Sequence, residues 1–503
     1  MNKKRAGILL PIFSLPSKYS IGSFGKAAYK FVDFLKECNQ NFWQVLPLNP
    51  TIYGDSPYQS PSAFAGNYYF IDIDMLVKDK LLTRAVADSY AKESKRVDYG
   101  YLFSSRLFLL KQAFERFNVF YEDYVAFKDE NAFWLDDYAL FMSLKEYNNN
   151  APWTHWRDDE KYRKDVQLLY RQYAGSMEFW KFTQYEFFSQ YAKLKEYANA
   201  NGIEIIGDMP FYVAYDSADV WANPNNYLLD EELKPTLVAG VPPDLFSEDG
   251  QLWGNPIYNW KRMKRQGFSW WIERLKAAYK LYDIIRIDHF RGFAGYYVVD
   301  ADAKTAREGE WRKGVGLAFF NELNKRLPHA KIIAEDLGVI TSDVRKLLRD
   351  TGYPGMKVLQ FAFSDENSDY LPKNIQTPNC IVYTGTHDNM TTQQWLSQMS
   401  EGEAKLVRKV CKPKSKEDLC VCMIKTAMST RAARVIIPMA DYLGLGEEGR
   451  INAPATSSDN WTWRLDDKYN RAQLREKIKQ LTSYRHRQRA IPIASANPTE
   501  MQK

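Results

Sequence analysis

Three stretches decide the fold: Ile284-Ile285-Arg286-Ile287-Asp288, Ile332-Ile333-Ala334-Glu335-Asp336 and Ile381-Val382-Tyr383-Thr384-Gly385-Thr386-His387-Asp388. Each begins as a short run of apolar, mostly β-branched residues and ends in a carboxylate. An uninterrupted apolar run of this length reads as a strand buried on both faces, the signature of a parallel sheet. A carboxylate at the C-terminal end of such a strand sits where barrel enzymes place their chemistry.

Working outward, five further runs have the same character: Gly7–Leu10, Phe42–Leu48, Ile203–Ile206, Lys357–Phe363 and Ala433–Met439. Amphipathic stretches separate several of the eight, at Ala27–Cys38, Phe319–Leu327 and Asp343–Asp350. Strands alternating with helices predict parallel pairing through right-handed crossovers. Eight units predict an α/β protein built as a closed (β/α)8 TIM barrel. The alternative, a doubly wound open sheet, lacks any Gly-x-Gly-x-x-Gly or phosphate-loop pattern after a strand.

A plain barrel needs about 250 residues, and this chain has 503. The surplus is expected in insertions on a single catalytic barrel spanning 1–503. A charged and aromatic segment, 76–200, is expected to form a mainly helical subdomain. A Gly-, Pro- and Asn-rich segment, 211–280, is expected to be loop-rich and to lie over the active site.

Composition narrows the function classes. With 68 basic and 62 acidic residues the net charge is only +6, and the basic residues form no single stripe, so nucleic acid is not an expected partner. No apolar run approaches the ~18 residues of a membrane span. Lys3-Lys4-Arg5 followed by Ala6–Leu15 imitates a signal peptide, but Pro11 and Pro16 interrupt it and no small-residue cleavage site follows. The five cysteines are irregularly spaced, which fits reduced thiols in the cytoplasm better than a disulfide framework or a metal site. No Asp-x-Asp-x-Asp-Gly calcium loop occurs. Aromatic residues make up 15% of the chain; they serve either a large core or a cleft that stacks on flat ligand faces.

The carboxylates admit two readings each. Arg286 and Asp288 share one face of their strand. Either they form a structural ion pair, or the guanidinium keeps an attacking carboxylate ionised and oriented. Glu335 and Asp336 are adjacent and point opposite ways. Either they end a strand, or their mutual repulsion raises the pKa of a proton donor. His387, before Asp388, is either a buried structural histidine or a donor to a ligand hydroxyl. Two carboxyls in different protonation states, with a third to hold the ring, are what retaining cleavage of a glycosidic bond requires.

Taken in order, the segments Gly207-Asp208-Met209-Pro210, Arg286 through Phe293, Ile333 through Gly338 and Thr384 through Asn389 resemble the 4-α-glucanotransferases of the α-amylase clan. Gly54 through Ser60, Gly240 through Asp244 and Gln251 through Pro256 extend the resemblance, which runs from Pro11 to Arg464. It implies that Asp288 is the nucleophile, Glu335 the general acid/base and Asp388 the transition-state stabiliser. It implies substrate-binding roles for Tyr58, Asp208, Trp253, Arg286 and His387, with Phe246 as a further aromatic near the cleft. It implies donor and acceptor α-1,4-glucans as partners and no metal or organic cofactor. The wider clan often has histidine where Val213 stands, and its absence here is what the resemblance to the glucanotransferases implies. Ala455 stands where the family pattern favours Gly, leaving the loop near Asn452 uncertain in shape. A hydrolase of the same clan and a glucan-binding protein without catalysis are the competing readings; the second is disfavoured because all three carboxylates are present.

Overall fold

The computed structural model describes residues 4–52, 54–243, 247–338, 340–415, 418–454, 456 and 458–484. Its strands, in chain order, are β1 (Arg5–Leu9), β2 (Phe42–Gln44), β3 (Glu204–Met209), β4 (Leu237–Val241), β5 (Gln251–Pro256), β6 (Ile284–Ile287), β7 (Gly295–Asp300), β8 (Gly309–Lys313), β9 (Ile332–Ala334), β10 (Gly355–Val358), β11 (Cys380–Tyr383) and β12 (Arg434–Pro438). Eight of them form one sheet, in the order β10-β11-β12-β1-β2-β3-β6-β9, and every pairing in it is parallel. All eight overlap the apolar runs, β10 by only Lys357 and Val358, and the architecture is the (β/α)8 barrel.

The sheet closes at β9 and β10 without a regular ladder. There the Ala334 N–H donates to the Pro354 carbonyl at 2.9 Å. The Asp336 carboxylate accepts the Met356 N–H at 2.6 Å. Asp336 thus seals the seam with its side chain, while its neighbour Glu335 faces the opposite way.

Strand residues alternate between the two faces. Ile206, Ile284, Ile333 and Ile436 share the inner face with Gln44, Asp208 and Arg286. Ile8, Trp43, Ile285 and Val382 face the helices, Trp43 packing on Phe31 at 5.0 Å, and all eight of these apolar residues are buried. Gly207 is required for close packing, because a Cβ there would lie 2.1 Å from the Tyr282 ring. The helix Lys26–Glu37 turns Phe31, Phe34 and Leu35 inward, and the helix Ser342–Thr351 turns Val344 and Leu347 inward. Both match amphipathic stretches of the sequence.

Between β2 and β3 lie the long helices Tyr99–Phe114, Glu122–Tyr147 and Ala174–Ala200. The last places Phe187 and Tyr191 against Phe24, at 5.1 and 5.0 Å between ring centroids, so this segment shares the barrel's core. Trp43, Trp153, Trp180, Trp221 and Trp271 are fully buried, so much of the aromatic content is core.

The segment 211–280 holds more regular structure than its composition suggests. It carries the helices Trp260–Arg265 and Ser269–Leu281, and also β4 and β5. These two strands join β7 and β8 in a four-stranded antiparallel sheet, ordered β5-β4-β7-β8. Gly254 and Pro256 made β5 read as loop, since both are poor strand residues unless the strand lies at an edge, as this one does. The expected strand Lys357–Phe363 also ends early: Leu359–Ala362 forms a 3-10 turn, equally buried but no longer extended.

Candidate active site

Register places the catalytic candidates. Asp208 on β3 pairs with Arg286 on β6, and Ile287 on β6 pairs with Ala334 on β9. Asp288 and Glu335 are the next residues, so they emerge side by side at the C-terminal rim. Backbone bonds carry the ladder past the strand ends: Asp288 N–H to Met209 O at 3.0 Å, Glu335 N–H to Ile287 O at 3.1 Å and Phe290 N–H to Glu335 O at 3.2 Å.

Directly after Asp288 the chain bends. His289 adopts a left-handed conformation with φ of 49°, a strained state for a residue other than glycine. The bend turns its backbone N–H onto Glu335 Oε2 at 2.8 Å. The Leu337 N–H donates to the other oxygen at 2.7 Å. One turn therefore links the loop after Asp288 to the carboxylate of Glu335.

Arg286 is the hub of the site's charges. Its Nη1 donates to both oxygens of Asp208, at 2.6 and 2.7 Å, and lies 3.1 Å from Asp288. The Tyr58 hydroxyl donates to Asp208 at 2.8 Å. Having given its proton there, that oxygen accepts from His387 Nε2, also at 2.8 Å. The two rings stack at 5.3 Å with planes 11° apart. His387 Nε2 also lies 3.2 Å from Asp388. The Asn452 amide donates to the other Asp388 oxygen at 2.6 Å. Trp253, on β5, sets its ring edge-on to His289 at 4.9 Å.

All eight residues named from the sequence thus meet in one cleft. Phe246 and Ala455 lie outside the described residues. Asn452 was missed as a partner of Asp388: the two are 64 residues apart, and no local pattern joins them. Trp461 was also missed, although its ring lies 5.8 Å from Tyr58 and 6.0 Å from His387.

The three carboxylates are tuned apart. Burial pushes Asp288 up to about 7, against the pull of Arg286 and helped by Asp208, Glu335 and Asp388. This corrects the expectation that Arg286 alone would hold Asp288 fully ionised. Burial also raises Glu335, opposed by Arg286 and the two backbone donors; Asp336 adds only a minor push, so adjacent charge is not the main cause. Burial works to raise Asp388 too, but His387, Asn452 and Arg286 outweigh it and bring the group to about 2. His387 is itself raised: burial opposes its charge, and Asp388 overcomes that. The site therefore holds one firmly ionised carboxylate, Asp388, beside two whose ionisation burial opposes, Asp288 and Glu335, which is the division of labour that acid/base and nucleophilic chemistry needs.

Comparison with known proteins gives the family. The family profile described as 4-alpha-glucanotransferase matches residues 10–470. The 4-alpha-glucanotransferase of Clostridium butyricum is 45% identical over 482 residues, covering 94% of this chain and 98% of its own. That of Streptococcus pneumoniae is 44% identical, covering 96% and 97%. Among solved structures, amylomaltase from Streptococcus agalactiae in complex with acarbose superposes with a TM-score of 0.92 at 39% identity, covering 96% of this chain and 99% of that one. The chain belongs to the 4-alpha-glucanotransferase family, enzymes that transfer segments of α-1,4-glucan.

Proposed function

We propose that this cleft transfers α-1,4-glucan segments by double displacement, with Asp288 as nucleophile, Glu335 as general acid/base and Asp388 as stabiliser of the flattened sugar ring. Asp288 attacks the anomeric carbon while Glu335 gives its proton to the departing glycosidic oxygen. A covalent glycosyl-enzyme forms and the shortened chain leaves. Glu335 then takes the proton from the 4-hydroxyl of glucose or another glucan, which displaces Asp288 and restores the configuration.

One observation carries this reading: register sets Asp288 and Glu335 at neighbouring strand ends, with only Asp288 in direct contact with Arg286. Burial raises both carboxyls, and the Glu335 charge opposes ionisation of Asp288, so a proton on one favours the charge on the other. The guanidinium at 3.1 Å favours placing the charge on Asp288 and the proton on Glu335. To deliver that proton, Glu335 exchanges one backbone donor for the scissile oxygen. Asp388, ionised throughout the working range, faces the positive charge that develops on the ring.

Asp208, Tyr58 and His387 brace Arg286 and Asp388 and present hydroxyl, imidazole and carboxylate groups to the sugar. The contact of Trp253 with His289 supports reading the 211–280 segment as cover for the site. Transfer outruns hydrolysis when an acceptor is positioned and water is kept out, and these rings supply the cover. A cytoplasmic setting fits five cysteines of which none forms a disulfide. No helix among the described residues is long and apolar enough to cross a membrane.

The test is the product profile from maltotriose alone. The expected outcome is glucose plus a ladder of longer maltooligosaccharides with little gain in total reducing ends. Glucose and maltose with steadily rising reducing ends, and nothing longer than the substrate, would make the enzyme a hydrolase.

A further inference from the structure

A concavity of about 700 Å³ is lined in part by Arg291, Trp311, Lys313, Thr341, Asp343 and Lys346, and Arg291 lies near enough to the site to feel the Glu335 charge. That volume lies within the range of small-ligand sites. Its walls come from segments that follow the two reacting carboxylates. Arg291 lies three residues after Asp288, and Thr341 and Asp343 lie a few residues after Glu335. The β8 region is tied to the same loop, with Gly314 N–H donating to Ala294 O at 2.8 Å and Gly316 N–H to Phe293 O at 2.7 Å.

Trp311 is the unusual member. It is 44% exposed, whereas five other tryptophans are fully buried. Exposure has not left it loose. The Arg291 guanidinium lies 3.9 Å from its ring centroid, and Tyr297 packs against it edge-on at 5.3 Å. A cation over the ring and a tyrosine packed at a steep angle to it fix the indole's orientation. The result is a pre-oriented flat apolar surface, which costs little further entropy when a ligand lies on it.

We propose that Trp311 is a stacking platform for glucan units beyond the acceptor sugar that reacts. This rests on the reading of Glu335 as the general acid/base. The groups assigned above to the donor sugar, Asp208, Tyr58, His387 and Asp388, with Asn452 bound to Asp388, come from β3, the loop after β2, the loop after β11 and a later loop. The concavity instead adjoins the segments after β6 and β9, the side on which the proton donor stands and hence where the leaving chain departs and the acceptor enters. A glucose unit has an apolar face that suits the indole and an equatorial rim of hydroxyls. Lys313, Thr341 and Asp343 supply donors and acceptors for such hydroxyls. A single glucose acceptor does not extend that far, and a longer chain does.

The experiment measures kcat/KM for transfer from soluble starch to glucose and to maltotetraose, in the wild type and in Trp311→Ala. The expected result is a fall of about tenfold in the maltotetraose-to-glucose ratio, the factor that 1.4 kcal/mol supplies. The loss should lie in the KM for maltotetraose, and Trp311→Phe should recover most of it. An unchanged ratio, or equal losses with both acceptors, would overturn the platform. A wild type that transfers to neither acceptor would overturn the transfer reading and the platform together. Unfolding midpoints establish that the variants fold. Should Trp311→Ala fail to fold, Trp311→Thr removes the same ring with a residue suited to an exposed strand.

Discussion

Replacing Asp208 with Asn separates the electrostatic role of this residue from its shape. Asp208 is buried, and both its oxygens are taken by Arg286 at 2.6 and 2.7 Å. The amide has the same size, so no cavity forms. Breaking a buried ion pair by removing one partner costs about 3–5 kcal/mol. Asp288, at 3.1 Å, still faces the guanidinium, so the lower end applies and the unfolding midpoint should drop by only a few degrees.

The larger consequence is for Asp288, which stands at about 7 partly because the Asp208 charge pushes it up. Arg286 Nη1 contacts both carboxylates, at 2.6 and 3.1 Å, so their nearest oxygens lie within about 6 Å, where two charges interact by roughly 3 kcal/mol at an effective dielectric of about 20. Water reaches 30% of the Asp288 side chain, which reduces the effect to about one pKa unit. Removing a neighbouring negative charge makes ionisation easier, so the nucleophile is charged at lower pH. Arg286, released from Asp208, pulls in the same direction. The acidic limb of kcat/KM, which reports the coupled Asp288–Glu335 pair in the free enzyme, should therefore move down by about one unit while its plateau falls. Initial rates of glucose release from maltotriose between pH 4 and 9 would show it. A limb that stays put or moves up would refute the claim that Asp208 sets the ionisation of Asp288.

Asp288→Asn should lose activity by orders of magnitude with an unchanged circular dichroism spectrum; near-normal turnover would sink the nucleophile assignment. Glu335→Gln should be comparably inactive on maltotriose yet regain the first step with α-glucosyl fluoride, whose leaving group needs no proton; equal inactivity on both donors would argue against an acid role. Trp253→Ala should raise the ratio of hydrolysis to transfer, read as reducing ends gained per glucan transferred, because it uncovers His289 and the cleft beside it; an unchanged ratio would show that water is excluded elsewhere. Glu186 is buried away from the cleft, and burial raises it to about 7 from 4.5. A raised carboxyl contributes stability below its unfolded pKa and loses it as pH rises through the folded value. Glu186→Gln should therefore stabilise the protein by up to about 3 kcal/mol at pH 8 and by nothing comparable at pH 4; equal effects at both pH values would contradict the assigned burial.

Much of the barrel could be read along the chain because a strand buried on both faces has a purely local signature. Each of the eight parallel strands overlaps an apolar run, although β10 shares only Lys357 and Val358 with its run. The same signature also marks buried turns, which is why Leu359–Ala362 and the residues after Gln44 read as strand and are not. The antiparallel sheet escaped because β5 carries Gly254 and Pro256, although the Gly-Tyr-Tyr-Val-Val-Asp run of β7 held the β-branched and aromatic content that could have exposed it.

The sequence by itself determined which carboxylates stand at strand ends, because a carboxylate after an apolar run needs no distant partner to be placed there. It also determined the family, since ordered motifs survive as local strings. Only the tertiary structure decided what those carboxylates are. The donor to Asp388 comes from Asn452, the hydroxyl that bridges Asp208 and His387 comes from Tyr58, and the bend at His289 aims a backbone N–H at Glu335. Their ionisation follows from desolvation and from charges brought in by segments up to 329 residues away. Burial and charge are summed over neighbours in space, and the chain's order does not contain that sum until the barrel closes.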